Sequence, residues 1–391
     1  MKISIISDLH LGFGQGTEME GDSFAAFSEA LEKSLDCDLI IIGGDMFDSR
    51  MPNTEVFTNA IEILKPPLSR PSETKILHGV NKNTEDFPLI KNGIPVIAIA
   101  GNHERRVKGL LNPVEALERA GFLVYLHCNS IVLENNNQKI AIHGMSSVPD
   151  QYGEQVLEAW NTKPIDGCFN VLLMHQSVAP FLYAAYLIPL EKIPKGFDLY
   201  INGHVHGTVK AEYSGAPFII PGSLLPTQIT KDLSRHSFCK VEVQENKAAS
   251  VNFVELEHQR EIFYKEFDKD VPIKEVQEYL DNLLKTKRNL KPIIKLVTQN
   301  KTLPVKELIE KYREDAIIYF KKDIEEETKE IEVKSILERV ESVNEVGKRL
   351  LRENLQKLEL NTQVFENIFE LLDSNKMGEA QSLLEKMASK V

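Results

Sequence analysis

Six short stretches carry side chains of metal-binding type: Asp8-Leu9-His10, Gly44-Asp45, Gly101-Asn102-His103-Glu104, His143-Gly144, His175 and Gly203-His204-Val205-His206. The donors are carboxylates, imidazoles and an amide oxygen without any thiolate, a set that suits Mn, Fe or Zn and, through its hard oxygens, leans toward Mn. One ion needs three or four ligands. About twice that many are present, so a pair of ions roughly 3.5–4 Å apart that share one carboxylate is the economical arrangement. Such a pair lowers the pKa of a water, orients it and clamps the attacking and leaving oxygens of a phosphoryl centre. That is the chemistry of phosphate-ester hydrolysis.

The elements that must position these residues are legible next to them. Ile3 to Ser7 leads into Asp8, Leu39 to Ile42 into Asp45, Val96 to Ala100 into Asn102, Val171 to Met174 into His175, and Leu199 to Asn202 into His204. Short apolar runs bounded by Gly or polar turns, with helical patterns between them, predict buried strands in an α/β layered fold. The polar residues then sit at strand carboxyl ends, where open α/β sheets place their ligands. Gly44, Gly101 and Gly203 allow turns and close approaches that a Cβ would obstruct. A lone Asp8 after a strand is ordinarily a turn residue, but the same context recurs at five places. His78, His127, His236 and His258 have no such pattern and are expected to be surface or packing residues.

This ordered set resembles the signature of the calcineurin-like metallophosphoesterases over about the first 210 residues. Asp8-Leu9-His10-Leu11-Gly12, Met174-His175-Gln176-Ser177 and Pro221-Gly222-Ser223, followed by a further α/β segment and a helical tail, resemble more narrowly the archaeal Mre-type (SbcD-like) double-strand-break repair nucleases. The resemblance implies a β-sandwich flanked by helices (1–257), a small α/β capping domain (258–322), a charged linker (323–334) and a helical module (335–391). It implies two Mn²⁺ per subunit, with Mg²⁺, Fe²⁺ or Zn²⁺ open: Asp8, His10, Asp45 and His206 around one ion, and Asp45, Asn102, His175 and His204 around the other. Asp45 is then the bridge. His103 would face the scissile phosphate and protonate the leaving oxygen, with Glu104 orienting it. His143 has no family role, and a place behind a ligand or simple packing at a strand end are equally open.

Two departures stand out. Many relatives carry a His after Gly44-Asp45-Met46-Phe47 that helps place a DNA end, whereas Asp48 stands here, and a carboxylate there repels phosphate. Pro66 to Lys91, with Pro66-Pro67, Pro71 and Asn81-Lys82-Asn83, is longer and more polar than expected and reads as a surface loop or small insertion.

Composition bounds the rest. The 391 residues suggest two or three domains, and 27% charged with 42% apolar residues is ordinary for a globular chain. The four scattered cysteines, Cys37, Cys128, Cys168 and Cys239, fit free thiols of a reducing cytosol. With no basic leader and no apolar stretch long enough to span a bilayer, a soluble, cytoplasmic, nucleoid-associated protein without membrane contact is expected. The net charge of −12 is unusual for a DNA enzyme. Ligand carboxylates neutralised by ions account for part of it, and Arg105-Arg106-Val107-Lys108 supplies a local basic patch, with a solvated helix start as its bland alternative. Tight DNA binding is inferred to depend on a partner.

Beyond Glu257 strands are predicted at Ile262 to Phe267, Pro292 to Thr298 and Ala316 to Phe320, with helices at Ile273 to Leu284 and Val305 to Tyr312. The linker is rich in Glu and Lys. After it, Val340, Val343, Leu350, Leu351, Leu355 and Leu358 recur at helical spacing, a stripe that a short tail has little means of burying alone. By the family likeness it docks on an SMC-like coiled-coil ATPase of the Rad/SbcC type. Helices near 53–65 and 112–120 would, by the same likeness, build a homodimer. The leading expectation is therefore a Mn-dependent 3′–5′ double-strand exonuclease and single-strand endonuclease. A phosphoesterase acting on phosphoprotein, cyclic nucleotide or a small ester, and a non-catalytic DNA-clamping scaffold, are the alternatives.

Overall fold

A computed structural model describes residues 1–84, 92–107, 109–182, 184–227, 229, 235–244, 247–300 and 302–322. Among these, strands and helices are numbered in chain order. One six-stranded sheet runs β13 (Lys247–Glu255), β12 (Ser237–Gln244), β1 (Lys2–Ile6), β2 (Leu39–Ile42), β4 (Val96–Ala98), β5 (Val124–Tyr125). A seven-stranded sheet runs β10 (Val209–Tyr213), β11 (Ala216–Ile220), β9 (Leu199–Asn202), β8 (Phe169–Met174), β7 (Gln138–Met145), β6 (Asn129–Asn135), β3 (Lys75–Val80). The central strands β1, β2, β4 and β5 pair in parallel, as do β7, β8, β9 and β11.

The continuous apolar character of the central strands has a direct cause, since both of their faces are covered. Ile3, Ile5, Leu39 and Ile41 from one sheet meet Val171, Leu173, Leu199 and Ile201 from the other in a shared core between the layers. Ile40 and Ile42, one residue out of phase, face the helices α1 (Asp22–Glu32), α2 (Thr54–Ser69) and α3 (Pro113–Arg119) through Phe27, Leu31, Leu64 and Leu117. Leu172, Met174 and Tyr200 pack on the far side of the second sheet against Leu157 of α4 (Gly153–Trp160), Ile193 and Phe197. The α/β layers that the strand-and-helix pattern predicts are present, arranged as the sandwich flanked by helices that the family resemblance implies.

The segment after Lys65 differs from expectation. Pro66 and Pro67 lie in the last turn of α2, where each removes an N–H bond to the residue four back and sets its ring against that carbonyl, yet the helix continues to Ser69. The next stretch is β3, which pairs with β6 at the sheet's edge. It escapes an apolar-run search because an edge strand with exposed Lys75 and His78 carries no buried stripe. Residues 85–91 lie outside the described part.

A three-stranded parallel sheet, β14 (Ile262–Phe267), β15 (Ile293–Thr298) and β16 (Ile317–Lys322), carries α5 (Ile273–Leu283) and α6 (Val305–Tyr312). Its core is Val276, Leu280, Ile294, Leu296, Leu308 and Tyr312. Residues 1–322 form one compact unit. Its seam is held by the buried Arg260, whose guanidinium reaches both carboxylate oxygens of Asp22 and donates to Glu18 O at 2.7 Å and Lys291 O at 2.9 Å. Lys291 Nζ also meets Glu18 at 2.8 Å. The expected charged linker at 323–334 and helical module at 335–391 lie outside the described residues, among which no helix is long and apolar enough to cross a membrane.

Candidate metal centre

The parallel order aims the carboxyl ends of β1, β2 and β4 from one sheet and of β8 and β9 from the other at a single place. Past Ile6 the first loop runs alongside the loop after β2, with Asp8 N donating to Gly44 O at 3.0 Å and His10 N to Asp45 O at 2.9 Å. The turns are sharp. Asp8, His10, Asp45 and His204 all adopt left-handed backbone, with φ of 53°, 46°, 45° and 77°. Non-glycine residues held there cost about 1–3 kcal/mol each, and such strain clusters at functional sites. Gly101 is equally constrained: a Cβ would come within 2.0 Å of Asp45 Oδ1.

Three groups of donors result among the described residues: His10, Asp48 and His103 make one that shares His10, and the other two fall within the expected ligand sets. Asp8, His10 and His206 form one, in which His10 Nε2 lies 3.3 Å from His206 Nε2 and His206 Nε2 lies 3.8 Å from Asp8 Oδ1. Asp45, His175 and His204 form the other. His175 Nε2 is 3.3 Å from Asp45 Oδ2 and 3.2 Å from Asn102 Oδ1, which in turn lies 2.9 Å from His204 Nδ1. All seven expected ligand residues, Asp8, His10, Asp45, Asn102, His175, His204 and His206, are thus neighbours. Beside them opens a cavity of about 420 Å³ bordered by Asp45, Asn102, His103, His204 and His206 and, across it, by Arg235 and Ile262.

A model of the calcineurin-like phosphoesterase family matches residues 1–208. The chain belongs to this family. This phosphoesterase is similar to the DNA double-strand break repair protein Mre11 of Methanopyrus kandleri, 27% identical over 285 residues that cover 67% of this chain and 58% of that one. It is also similar to the double-strand break repair protein MRE11 of Mus musculus, 26% identical over 263 residues, 59% of this chain and 37% of that one, and to the human protein of the same name, 26% identical over 235 residues, 52% and 33%. The chain therefore spans less than two thirds of the length of these curated relatives.

The family implies divalent metal cofactors, and the donor set fits them. Two imidazole nitrogens facing each other at 3.3 Å, His10 Nε2 and His206 Nε2, present lone pairs to one another unless a proton or a cation lies between. Each of the four rings also keeps its other nitrogen bonded outside the cluster, as metal-bound histidines do. His10 Nδ1 meets Asp48 Oδ1 at 3.2 Å, His175 Nδ1 donates to Gly43 O at 2.8 Å, His204 Nε2 meets Ser177 Oγ at 3.1 Å and His206 Nδ1 meets Thr227 Oγ1 at 2.8 Å. Ser177 lies in the Met174-His175-Gln176-Ser177 stretch, but nothing in the sequence assigns it, Gly43 or Thr227 to these imidazoles.

Charge within the phosphoesterase site is strongly redistributed by burial. Burial pushes Asp8 up to about 6 against the pull of His175. Asp45 is also penalised by burial, but His175 and His10 outweigh that and hold it well below the ordinary carboxylate range. The reverse holds for His175, which burial would lower and Asp45 pushes up to about 10. His204 and His206 drop to about 4, through burial first and the neighbouring imidazoles second.

Several expected roles change. Glu104 does not orient His103: its buried carboxyl accepts the Phe47 and Gly101 N–H groups, each at 2.6 Å, and so clamps two ligand loops together. Burial and then Asp45 push its pKa up to about 8. His103 instead donates from Nδ1 to the Asp48 carbonyl at 2.8 Å. The Asp48 carboxylate engages His10 and lies 3.6 Å from His103 Nδ1, so the charge expected to repel phosphate is directed at imidazoles. His143 stands apart, packed on Phe197 and bonded to Ser130, Thr162 and Asn170 in a buried polar cluster of the second sheet. It packs in the strand rather than backing a ligand. Arg105 is exposed and Arg106 half-buried in an irregular stretch ahead of α3, not on a helix start, and Lys108 lies outside the described residues. His236 borders the cavity, although no sequence pattern marks it.

Proposed function

We propose that this phosphoesterase is a metal-dependent DNA nuclease that processes double-strand breaks, a 3′–5′ exonuclease on duplex ends and an endonuclease on single strands, using two Mn²⁺. The observation that carries the reading is the pair of donor groups, Asp8/His10/His206 and Asp45/Asn102/His175/His204, meeting at one cavity in a chain similar to double-strand break repair proteins. Asp45, whose carboxylate lies 3.3 Å from His175 Nε2 and acts on His10, would hold both ions. When bound, the ions supply Lewis-acid stabilisation of a phosphoryl centre and a water nucleophile at neutral pH.

The chain's own residues do the remainder. His103 borders the cavity with its ring fixed by the Nδ1–H bond to Asp48 O, which leaves Nε2 to face the substrate; in the imidazolium form the Nε2–H passes its proton to the leaving oxygen and the ring stays as the neutral Nδ1–H tautomer. Glu104 keeps the loops after β2 and β4 in register, so Asp45 and Asn102 hold their spacing. The three-stranded unit acts as a cap: Ile262 forms part of the cavity wall, the place where a duplex track would pass. The 335–391 segment docks an SMC-like coiled-coil ATPase of the Rad/SbcC type. Helices α2 and α3 form a homodimer contact, a reading supported by exposed Met51, Leu110 and Leu111 just ahead of them.

The test incubates the full-length chain with labelled duplex and single-stranded DNA in Mn²⁺ or Mg²⁺, beside p-nitrophenyl phosphate and a cyclic nucleotide, and repeats this with Asp8→Ala and His103→Ala. The expected result is Mn-dependent DNA cleavage that both variants lose, with Asp8→Ala also losing metal. Hydrolysis of the small esters alone, or DNA bound and left uncut, would overturn the proposal.

A further inference from the structure

His204 and His206 are two residues apart on one loop, yet they turn different ring nitrogens to the donor groups. His204 presents Nδ1, 2.9 Å from Asn102 Oδ1. His206 presents Nε2, 3.3 Å from His10 Nε2 and 3.8 Å from Asp8 Oδ1. A neutral imidazole has one N–H and one lone pair, so the two rings serve their groups only as opposite tautomers. The other two imidazoles have fixed acceptors behind them, the Asp48 carboxylate for His10 and the Gly43 carbonyl for His175. His204 and His206 have hydroxyls.

The direction of the first hydroxyl bond is determined by its neighbour. Ser177, buried at 3% exposure, donates its proton to Asp150 Oδ1 at 3.0 Å. Its oxygen is then left to accept the His204 Nε2–H at 3.1 Å, which places the lone pair on Nδ1. Thr227 Oγ1 lies 2.8 Å from His206 Nδ1, and accepting the Nδ1–H is the direction that turns that ring's lone pair on Nε2 towards its donor group.

We propose that Ser177 and Thr227 are positioning residues that impose opposite tautomers on His204 and His206, so that each hydroxyl tunes the affinity of one ion position separately. The inference rests on the two-ion reading above. Asp150, at the exposed end of the Ser177 chain, acts through Ser177 and on the same ion.

The test is calorimetric titration of metal-stripped, full-length protein with Mn²⁺, together with thermal unfolding of the same samples. Removing a partner behind a metal-bound imidazole weakens binding by roughly tenfold to a hundredfold. Ser177→Ala is expected to do so for one ion only and Thr227→Val for the other. The conservative variants Ser177→Thr and Thr227→Ser restore binding, because each keeps a hydroxyl. Asp150→Ala gives a smaller loss on the ion that Ser177→Ala affects and adds nothing to Ser177→Ala, as members of one chain do. Ring ¹⁵N shifts of His204 and His206 in the metal-free protein move towards a tautomer mixture in the respective variant. Unchanged affinities in Ser177→Ala and Thr227→Val, or equal loss of both ions in step with a lower Tm, would overturn the inference while leaving the two-ion reading intact. Wild-type protein that binds no Mn²⁺ would overturn both.

Discussion

The sandwich and the three-stranded cap are made from the same parts, parallel strands with helices on their faces, yet only the sandwich holds a candidate reaction centre. Asn102 and Asn300 show the difference at the level of one residue type. Both follow the carboxyl end of a parallel strand, β4 and β15. Asn102 places Oδ1 between two imidazoles that come from the opposite sheet. Among the described residues no second sheet faces Asn300; its amide donates to Val271 O, 29 positions back, at 2.8 Å and its oxygen accepts Thr302 N–H at 2.8 Å, so it braces two loops of the cap. A polar strand end becomes a ligand only where a second layer brings complementary donors to it, which is why architecture alone does not specify activity.

The sharpest way to break this comparison is to exchange the consequences. Asp45→Ala should abolish metal binding and lower phosphodiester hydrolysis on the order of a thousandfold or more, several kcal/mol of barrier. Asn300→Ala should leave Mn²⁺ affinity and small-ester hydrolysis at wild-type values and lower Tm slightly. Equal loss of activity in the two variants would mean that the cap contributes to the chemistry itself.

A smaller effect is expected at the seam. Arg260→Ala removes a buried guanidinium from Asp22, Glu18 O and Lys291 O, and should cost roughly 1–3 kcal/mol of stability by leaving those acceptors unmatched. If the cap shapes a DNA track, duplex cleavage falls while hydrolysis of a small phosphodiester persists. Parallel loss of both activities would show that the seam supports only the metal site.

The smallest effect concerns pH and refines the account of the sandwich. His175, pushed up to about 10, and His10, also raised because Asp48, Asp45 and Asp8 outweigh burial, must give up protons before they accept an ion. Mn²⁺ affinity should therefore rise with pH through the neutral range, with proton release visible as a buffer-dependent heat of binding. His204 and His206, held near 4, are already neutral there and release none. The metal-free fold should follow the opposite slope. A His with a raised folded pKa stabilises below its ordinary value and loses that stabilisation as pH rises through about 10. The depressed Asp45 stabilises above the ordinary carboxylate range and loses it as pH falls. His204 and His206, lowered to about 4, destabilise the fold as pH falls below the ordinary imidazole value, so unfolding in chelator should be hardest at about pH 6–6.5.

Much of the sandwich could be read from the chain because its signals are local. Buried parallel strands need apolar residues on both faces, so Leu39–Ile42 and Val171 to Met174 stand out as uninterrupted runs, and the ligands follow them within a few residues. β3 could not be read this way, since an edge strand with one solvated face carries no such run. Asp48 and Glu104 were visible as residues but not as partners. One turns to His10, 38 positions away, and the other to the Phe47 N–H, 57 away.

The identity and order of the metal-type donors, their places at strand ends and the need for glycine beside them belong to the sequence, because each depends on neighbours within a few residues. The pairing of those donors into two groups, the left-handed turns at Asp8, His10, Asp45 and His204, and the partners behind each ring were decided only by the tertiary structure. The physical reason is that both sheets must close over a common core before the ends of β4 and β8 come within hydrogen-bonding range, and before Ser177 and Thr227 reach the imidazoles they hold.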